Sequence, residues 1–487
     1  MEGIASLISY SRSDNTAVYI QISNRFINLI QQGIIRPGTR LPGSRSLSLQ
    51  IGVNRLTVSK AYDELVIQGW IESKGSRGMF VCGVIPDIQA NPFSEGGKGI
   101  RSMPGYPWNP VSYLTTPRIS SGYEMFIDEG LPDIRLLPTI EIARAYRAAL
   151  RSGSYKGTLS YGEVYGSRSL RTILTEFIRS TRGIPLSESD CLITRGSTMG
   201  IYLAANTVLQ PGDIVVTGSL SYPTADLIFR QSGAKIMRVP IDEGGIQITA
   251  LEQLCMDQSV RMVYVTPHHH YPTTATMPAE RRVQLLQLAR EYRFCILEDD
   301  YDYDFQYDSN PVMPLASADT SGLVIYVGSF SKSVAPALRV GFVVGPGRLI
   351  EAMGKHRRII DRQGDHLLES VFTRLFRDGE MQRHLRKAQK VYHQRRDHFC
   401  HRLQHDFPDL IYFQKPAGGM AVWANFKEVV PLRAIVKQAA AEGFYLPDPE
   451  NYSSHLNATR LGFASQTESE MDISLARLKE LIRRFVP

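Results

Sequence analysis

The sequence predicts an α/β protein in two parts. A small helical unit closed by a β-hairpin comes first, followed by a large, mostly parallel sheet flanked by helices with a smaller α/β segment at the C-terminus. Three observations carry this. Apolar residues recur at helical spacing within the first eighty positions, and short apolar runs bounded by turns alternate with helical stretches from about residue 123. Between them, Pro86, Pro92, Pro104, Pro107, Pro110 and Pro117, with Gly96, Gly97 and Gly99, forbid a long helix or a central strand. The expected division is therefore a domain at 1–82, a linker at 83–122 and a body at 123–487. A chain of 487 residues also exceeds one ordinary core.

Composition narrows the class. With 43% hydrophobic and 21% charged residues the chain is not globally disordered. It has no run of eighteen apolar residues and no basic stretch ahead of an apolar one near the start, so a cytoplasmic protein with no membrane contact is expected. Cys82, Cys191, Cys255, Cys295 and Cys400 are odd in number, scattered and without a CxxC pair. Reduced thiols are expected, with no disulfide framework and no metal.

In the first part, Tyr19, Ile20, Ile22, Phe26, Ile27 and Ile30 predict an amphipathic helix ended by Gly33. Gly38 and Pro42 punctuate the connection, and Ser44 is the expected cap of a second helix through Leu47 and Leu49. After the turn Ile51-Gly52-Val53, Asn54 is the expected N-cap of a third helix. There Val58, Ala61, Tyr62 and Leu65 share the core face, so Arg55, Thr57, Ser59 and Lys60 face outward, as in a helix that reads a major groove. Residues 70–73, the tip Lys74-Gly75-Ser76-Arg77-Gly78 and residues 79–81 predict a hairpin whose basic tip suits a minor groove. Residues 1–80 hold nine Lys/Arg against five Asp/Glu, more than half of the net charge of +7. A basic unit of this kind attracts a phosphate backbone, although a merely solvated basic face has the same balance.

Over residues 15–81 this pattern resembles the GntR-type winged helix-turn-helix. The resemblance rests on Leu41-Pro42-Gly43-Ser44-Arg45, on Ile51-Gly52-Val53-Asn54-Arg55-Leu56-Thr57-Val58, and on Ala61-Tyr62 followed by Leu65, Gly69 and Trp70. It implies that Arg45 and Arg55 contact double-stranded DNA, supported by Thr57, Lys60 and the tip residues Lys74, Gly75 and Arg77. Ser59 stands where that family often carries a further basic residue.

In the body, residues 140–152 and 167–182 read as helices. Residues 191–194, 214–216, 235–237, 262–265, 294–297 and 324–327 read as buried strands. Residues 348–406 are helix-rich, and 422–423 with 460–463 mark the smaller closing segment. Ligands of such sheets bind beyond the carboxyl ends of the strands, where three loops carry chemistry. Arg195-Gly196-Ser197-Thr198 opens a helix at 199–209 and offers N–H groups to a phosphate, or merely caps that helix. Glu298-Asp299-Asp300-Tyr301 could pair with a pyridinium nitrogen, hold magnesium or lie solvated. Ser329-Phe330-Ser331-Lys332 brings a lysine that forms a Schiff base once burial or a neighbouring cation lowers its pKa, while Arg339 offers a fork for phosphate.

Together these loops resemble the fold type I aminotransferases over residues 123–487. The resemblance implies pyridoxal 5'-phosphate as cofactor, linked to Lys332 as an internal aldimine, with Asp299 on the pyridine nitrogen and Tyr301 on the 3-hydroxyl. It implies that Tyr222 stacks on the ring, and that Ser197, Thr198, Ser329, Ser331 and Arg339 hold the phosphate. Tyr161 matches a tyrosine donated by a neighbouring subunit, Arg460 an arginine that clamps a carboxylate, and Gly130-Leu131-Pro132-Asp133 an early family element. The chain departs at Thr266-Pro267-His268-His269-His270-Tyr271-Pro272-Thr273-Thr274, where Tyr271 replaces an asparagine and Thr274 a glycine. Gly218 likewise replaces an acidic residue. The histidine-rich loop and the order of the two parts resemble MocR-type regulators. The expected function is a homodimeric transcription factor that reads direct-repeat half-sites and senses an amine, an amino acid or the cofactor itself. The alternative is an active aminotransferase with an appended DNA-binding domain.

Overall fold

The computed structural model describes residues 2–86, 105–108, 110–114, 122–151, 155–308 and 312–486. The chain divides into two compact units, Met1–Val111 and Ser112–Pro487. The proline- and glycine-rich stretch falls largely outside the described residues. Within it, Tyr113 donates to Gln231 at 3.0 Å in the second unit, and Trp108 is exposed.

In the first unit, α1 (Val18–Gln31), α2 (Ser44–Ile51) and α3 (Arg55–Ile67) precede a hairpin of β1 (Ile71–Ser73) and β2 (Met79–Val81). Ile22, Phe26, Ile27 and Ile30 of α1 share one core with Leu47 and with Val58, Ala61, Tyr62 and Leu65 of α3. The Phe26 and Tyr62 rings meet edge to face at 5.7 Å, and the Tyr62 hydroxyl donates to the Pro42 carbonyl at 2.7 Å. Asn54 caps α3 by accepting from the Leu56 N–H at 2.8 Å. Ser44 does not cap α2: it already has helical geometry, and extended Gly43 takes the cap position with no side chain to offer. Leu49 is 79% exposed, so α2 buries Leu47 and Ser48 instead. Gly52, at φ +71°, supplies the left-handed residue that turns α2 into α3.

In the second unit, α4 (Thr139–Arg151) and α5 (Arg168–Arg182), the latter capped by Ser167, precede the sheet. Seven strands among the described residues form it: β3 (Cys191–Thr194), β4 (Ile214–Gly218), β5 (Lys235–Val239), β6 (Val260–Val265), β7 (Cys295–Asp300), β8 (Val324–Ser329) and β9 (Gly341–Val344). Their order is β3-β9-β8-β7-β6-β4-β5. Only β9 runs antiparallel to its neighbours. It is absent from the predicted strands because four residues just past the Arg339 loop are too short to show a period. Between β3 and β4 lies α6 (Gly196–Val208), and between β4 and β5 lies α7 (Pro223–Gln231). Apolar residues cover the sheet in two clusters, one with Leu174, Phe177 and Phe372, the other with Ile201, Leu203 and Phe229. A third core gathers on the antiparallel pair β10 (Ala421–Phe426) and β11 (Ala458–Gly462). Among the described residues no helix is long and apolar enough to cross a membrane.

Phe26 has no exposed surface. Phe26→Ala is expected to destabilise the first unit by about 3–5 kcal/mol, whereas Ile67→Ala, at an exposed site, should change it by less than about 0.5 kcal/mol. Denaturant unfolding followed by Trp70 fluorescence measures both. Equal effects of the two changes would contradict the core assignment.

Candidate functional site

The first unit presents a basic face. Arg45 on α2, Arg55 and Lys60 on α3, and Arg77 at the hairpin tip are all exposed, and Thr57 is half-buried between them. Arg55 is the first residue of α3, so capping by Asn54 fixes where its side chain leaves the backbone. The tip is tighter than a simple loop: Gly75 and Gly78 adopt φ +61° and +103°. Lys74 pairs with Glu72 at 2.9 Å and lies 5.2 Å above the Phe80 ring, which directs it along the hairpin. Sequence reasoning missed Arg40. This exposed residue bridges to Phe80, and its guanidinium stands 3.4 Å from where a Cβ on Gly78 would lie.

In the second unit the strand ends converge on one cavity of about 240 Å³. Ser197, Thr198, Tyr222, Asp299, Tyr301, Ser329, Ser331, Lys332, Arg339 and Arg460 all line it. Tyr161 does not; it is 78% exposed, with the Arg362 guanidinium 3.9 Å above its ring. Glu129, Tyr264, Thr266 and Tyr271 also line the cavity and were not predicted as site residues. Glu129 directly precedes the Gly130-Leu131-Pro132-Asp133 element, which was the one available signal for it.

Each wall has a physical cause. At the start of α6, Gly196 has φ +74°, and a Cβ there would stand 2.8 Å from Arg339 Nη2. Glycine is required both for the turn and for the guanidinium. Arg339 itself has φ 51°, donates to the Arg195 carbonyl at 2.9 Å and reaches Ser331 Oγ at 3.4 Å. Ser197 and Thr198 open the same helix, where N–H groups and the helix dipole favour an anion.

On the sheet, alternation along β7 splits the acidic run. Glu298 accepts from the Leu315 and Ala316 N–H groups, and Asp300 from the Tyr326 hydroxyl at 2.6 Å. Asp299 points to the cavity, where Oδ2 accepts from Tyr264 at 2.8 Å and Oδ1, though buried, has no partner among the described residues. Burial, opposed by the Tyr264 hydrogen bond and reinforced by Asp300 and Asp302, pushes the Asp299 carboxyl up to about 7. Lys332 is half-buried and donates to the Gly130 carbonyl at 2.6 Å. Burial first, and Arg460 second, lower its pKa.

The histidines diverge. His268 bonds the Val312 carbonyl, His269 bonds Asp302 at 2.7 Å and His270 bonds Thr273 at 2.8 Å. Among the described residues no three His, Cys, Asp or Glu side chains come together as a metal site. Tyr271 turns its hydroxyl to Glu129 at 3.2 Å and its ring edge to Tyr222, 5.3 Å away. Thr274, in place of the family glycine, sits at φ 62°, a conformation that costs a β-branched residue on the order of 1–2 kcal/mol. Gly218, in place of an acidic residue, has no room for one: a Cβ would stand 2.7 Å from Ile241 Cγ2 and 2.8 Å from the Leu220 carbonyl oxygen.

Comparison with known proteins agrees with both units. Residues 135–478 match the family described as aminotransferase class I and II, and residues 18–81 match bacterial regulatory proteins, gntR family. A probable rhizopine catabolism regulatory protein, MocR, from Rhizobium meliloti is 26% identical over 90% of this chain and 87% of its own length. The transcriptional regulator TauR from Rhodobacter capsulatus is 28% identical over 95% of this chain and 96% of its own length. A solved kynurenine aminotransferase from Pyrococcus horikoshii, in complex with PMP, superposes with a TM-score of 0.69 at 29% identity, covering 74% of this chain and 91% of the other. With a gntR segment ahead of an aminotransferase body over nearly its whole length, the chain belongs to the aminotransferase class I and II family and, within it, is a DNA-binding regulator of the MocR type.

Proposed function

We propose that the second unit holds pyridoxal 5'-phosphate and that an amine or amino acid effector, or the cofactor itself, alters DNA binding through the cavity at Lys332. Residues 1–82 are the DNA-binding domain, 83–122 the linker and 123–487 the effector domain of a cytoplasmic homodimer. The observation that carries this is the buried, unpartnered Oδ1 of Asp299 in the same cavity as Lys332. A protonated ring nitrogen would satisfy that oxygen. The space kept by Gly196, with Ser197, Thr198, Ser329, Ser331 and Arg339, suits a phosphate.

When bound, pyridoxal phosphate supplies an aldehyde that condenses with primary amines and a ring that withdraws electrons. The chain's own residues prepare for it. Lowering the Lys332 pKa raises the share of free amine able to attack a carbonyl. Tyr222 offers its ring, and Tyr301 keeps acceptor capacity on an oxygen whose proton goes to the His269 carbonyl at 2.7 Å. Arg460, fully buried, holds an effector carboxylate. Tyr161 completes the partner's cavity, and two winged helices read direct-repeat half-sites at a fixed spacing. The effector must bind one arrangement of the dimer better than the other for a signal to pass.

A second reading, an active aminotransferase with an appended DNA-binding domain, is favoured by Lys332 and Arg460 sharing one cavity. Incubation with amino donors and a keto acid separates the two. Multiple turnovers in a protein that ignores DNA would overturn the regulator reading. A mobility-shift titration on the DNA upstream of its gene, with and without pyridoxal phosphate and amines, tests that reading directly: an effector-dependent change in affinity is expected.

Arg55→Ala should weaken specific DNA binding by about tenfold or more while the cofactor's visible absorption is unchanged, and Lys332→Ala should abolish that absorption. Retained footprinting by the first variant or a retained band in the second would contradict these roles. For Asp299 the sign follows from a folded pKa raised towards 7 above the ordinary carboxyl value. Its contribution to stability is present in acid and lost as pH rises through about 7. The cofactor-free Asp299→Asn chain should therefore gain about 2 kcal/mol more over wild type at pH 8 than at pH 5, yet bind pyridoxal phosphate more weakly. A gap independent of pH, or undiminished cofactor affinity, would refute the assignment.

A further inference from the structure

We propose that Glu129 determines specificity, reserving the cavity for amino acids that carry a second protonated nitrogen; the inference rests on the effector reading above. Glu129 lines the cavity with Lys332 and Arg460. Each of its carboxylate oxygens is fixed by a phenol, Oε1 by the Tyr452 hydroxyl at 3.0 Å and Oε2 by that of Tyr271 at 3.2 Å. Phenols orient a carboxylate without neutralising it. Lys332 acts on it only as a longer-range charge: its amine donates to the Gly130 carbonyl, and among the described residues it makes no ion pair with Glu129. Among the described residues no cationic nitrogen lies within 4.0 Å of Glu129.

Arg460 is its counterpart. The guanidinium donates from Nε to the Glu129 backbone carbonyl at 2.8 Å and from Nη1 to the Pro272 carbonyl at 3.4 Å, and has no carboxylate partner among the described residues. It packs 5.3 Å from the Tyr271 ring centroid and 5.7 Å from that of Tyr301. Tyr271 thus serves as a spacer: its ring supports the positive group and its hydroxyl holds the negative one. The cavity therefore offers one unpaired charge of each sign, fixed apart, beside a reactive lysine. A neutral amino acid answers Arg460 alone, and an acidic side chain meets Glu129 with like charge. A basic amino acid brings a carboxylate for Arg460, one amine for the cofactor and a second ammonium for Glu129.

Calorimetric titration of the pyridoxal phosphate-loaded protein with L-lysine, L-norleucine and L-glutamate tests this. Lysine is expected to bind at least about tenfold more tightly than norleucine, a charged hydrogen bond's typical worth, and glutamate more weakly than either. Glu129→Gln removes the charge while its amide oxygen accepts from one phenol and its NH2 donates to the other, and it should bring lysine down to the norleucine affinity. Equal lysine and norleucine binding, no lysine binding, or a preference that survives Glu129→Gln overturns the inference while the cofactor's absorption band leaves the wider reading intact. A wild-type protein that takes up no cofactor overturns both.

Discussion

The second unit is organised around a carboxylate that folding alone leaves unsatisfied. Asp299 lies opposite Val327 in the β7–β8 register, inside the sheet, with one oxygen on Tyr264 and the other without a partner among the described residues. A buried carboxyl in that state costs stability, and its neighbours on the strand turn to the other face. Glu298 takes two backbone N–H groups, and Asp300 takes Tyr326, which in turn accepts from the buried Arg182 at 2.9 Å. Strand alternation sends those two to the structural face and Asp299 alone to the cavity. The acidic run does not form one cluster, because Asp299 faces away from Glu298 and Asp300.

What was legible in the sequence was local. The six strand candidates, the Asn54 cap and the outward face of α3 each follow from residues within a few positions of one another. So does the clustering of Gly196, Asp299, Lys332 and Arg339, because parallel strands in one sheet deliver their ends to one edge. The rest depends on contacts that span the chain. Glu129 meets Tyr271 across 142 positions and Tyr452 across 323, and no spacing rule connects them. Tyr264 sits in an apolar run where its ring signals only core, yet among the described residues its hydroxyl is the one hydrogen-bond partner of the Asp299 carboxyl. Gly43 displaces Ser44 from the cap of α2 because the chain turns helical one residue earlier than residue preference implies.

The departures from the aminotransferase pattern take a different meaning once packed. At Gly218 the backbone of Leu220 and the Ile241 side chain occupy the space an acidic side chain would need, so that loss is steric. At Thr274 the left-handed backbone is retained without glycine, and its N–H donates to the His270 carbonyl at 2.7 Å. The loop keeps its path by hydrogen bonding without a glycine's conformational freedom. At Tyr271 a longer side chain carries its hydroxyl to Glu129 instead of to the ring position that an asparagine serves. The loop is thus a rebuilt wall, and its Tyr271–Glu129 contact lies in the cavity that Lys332 and Arg460 line.

That distribution of unsatisfied groups bears on how a ligand could act at a distance. Coupling between a small-molecule site and a DNA-binding unit is commonly worth about 1–3 kcal/mol, and it must come from contacts made better in one arrangement than in another. Hydrogen bonds to charged groups contribute about 1.5–3 kcal/mol each. A cavity in which the Asp299 oxygen, the Glu129 carboxylate and the Arg460 guanidinium lack ionic partners among the described residues holds several such increments in reserve. If even one of them is fully engaged in only one arrangement of the protein, that single difference matches the coupling a regulator needs. An aminotransferase fold suits this use because its chemistry already requires charged groups to be kept buried and unpaired until a ligand arrives.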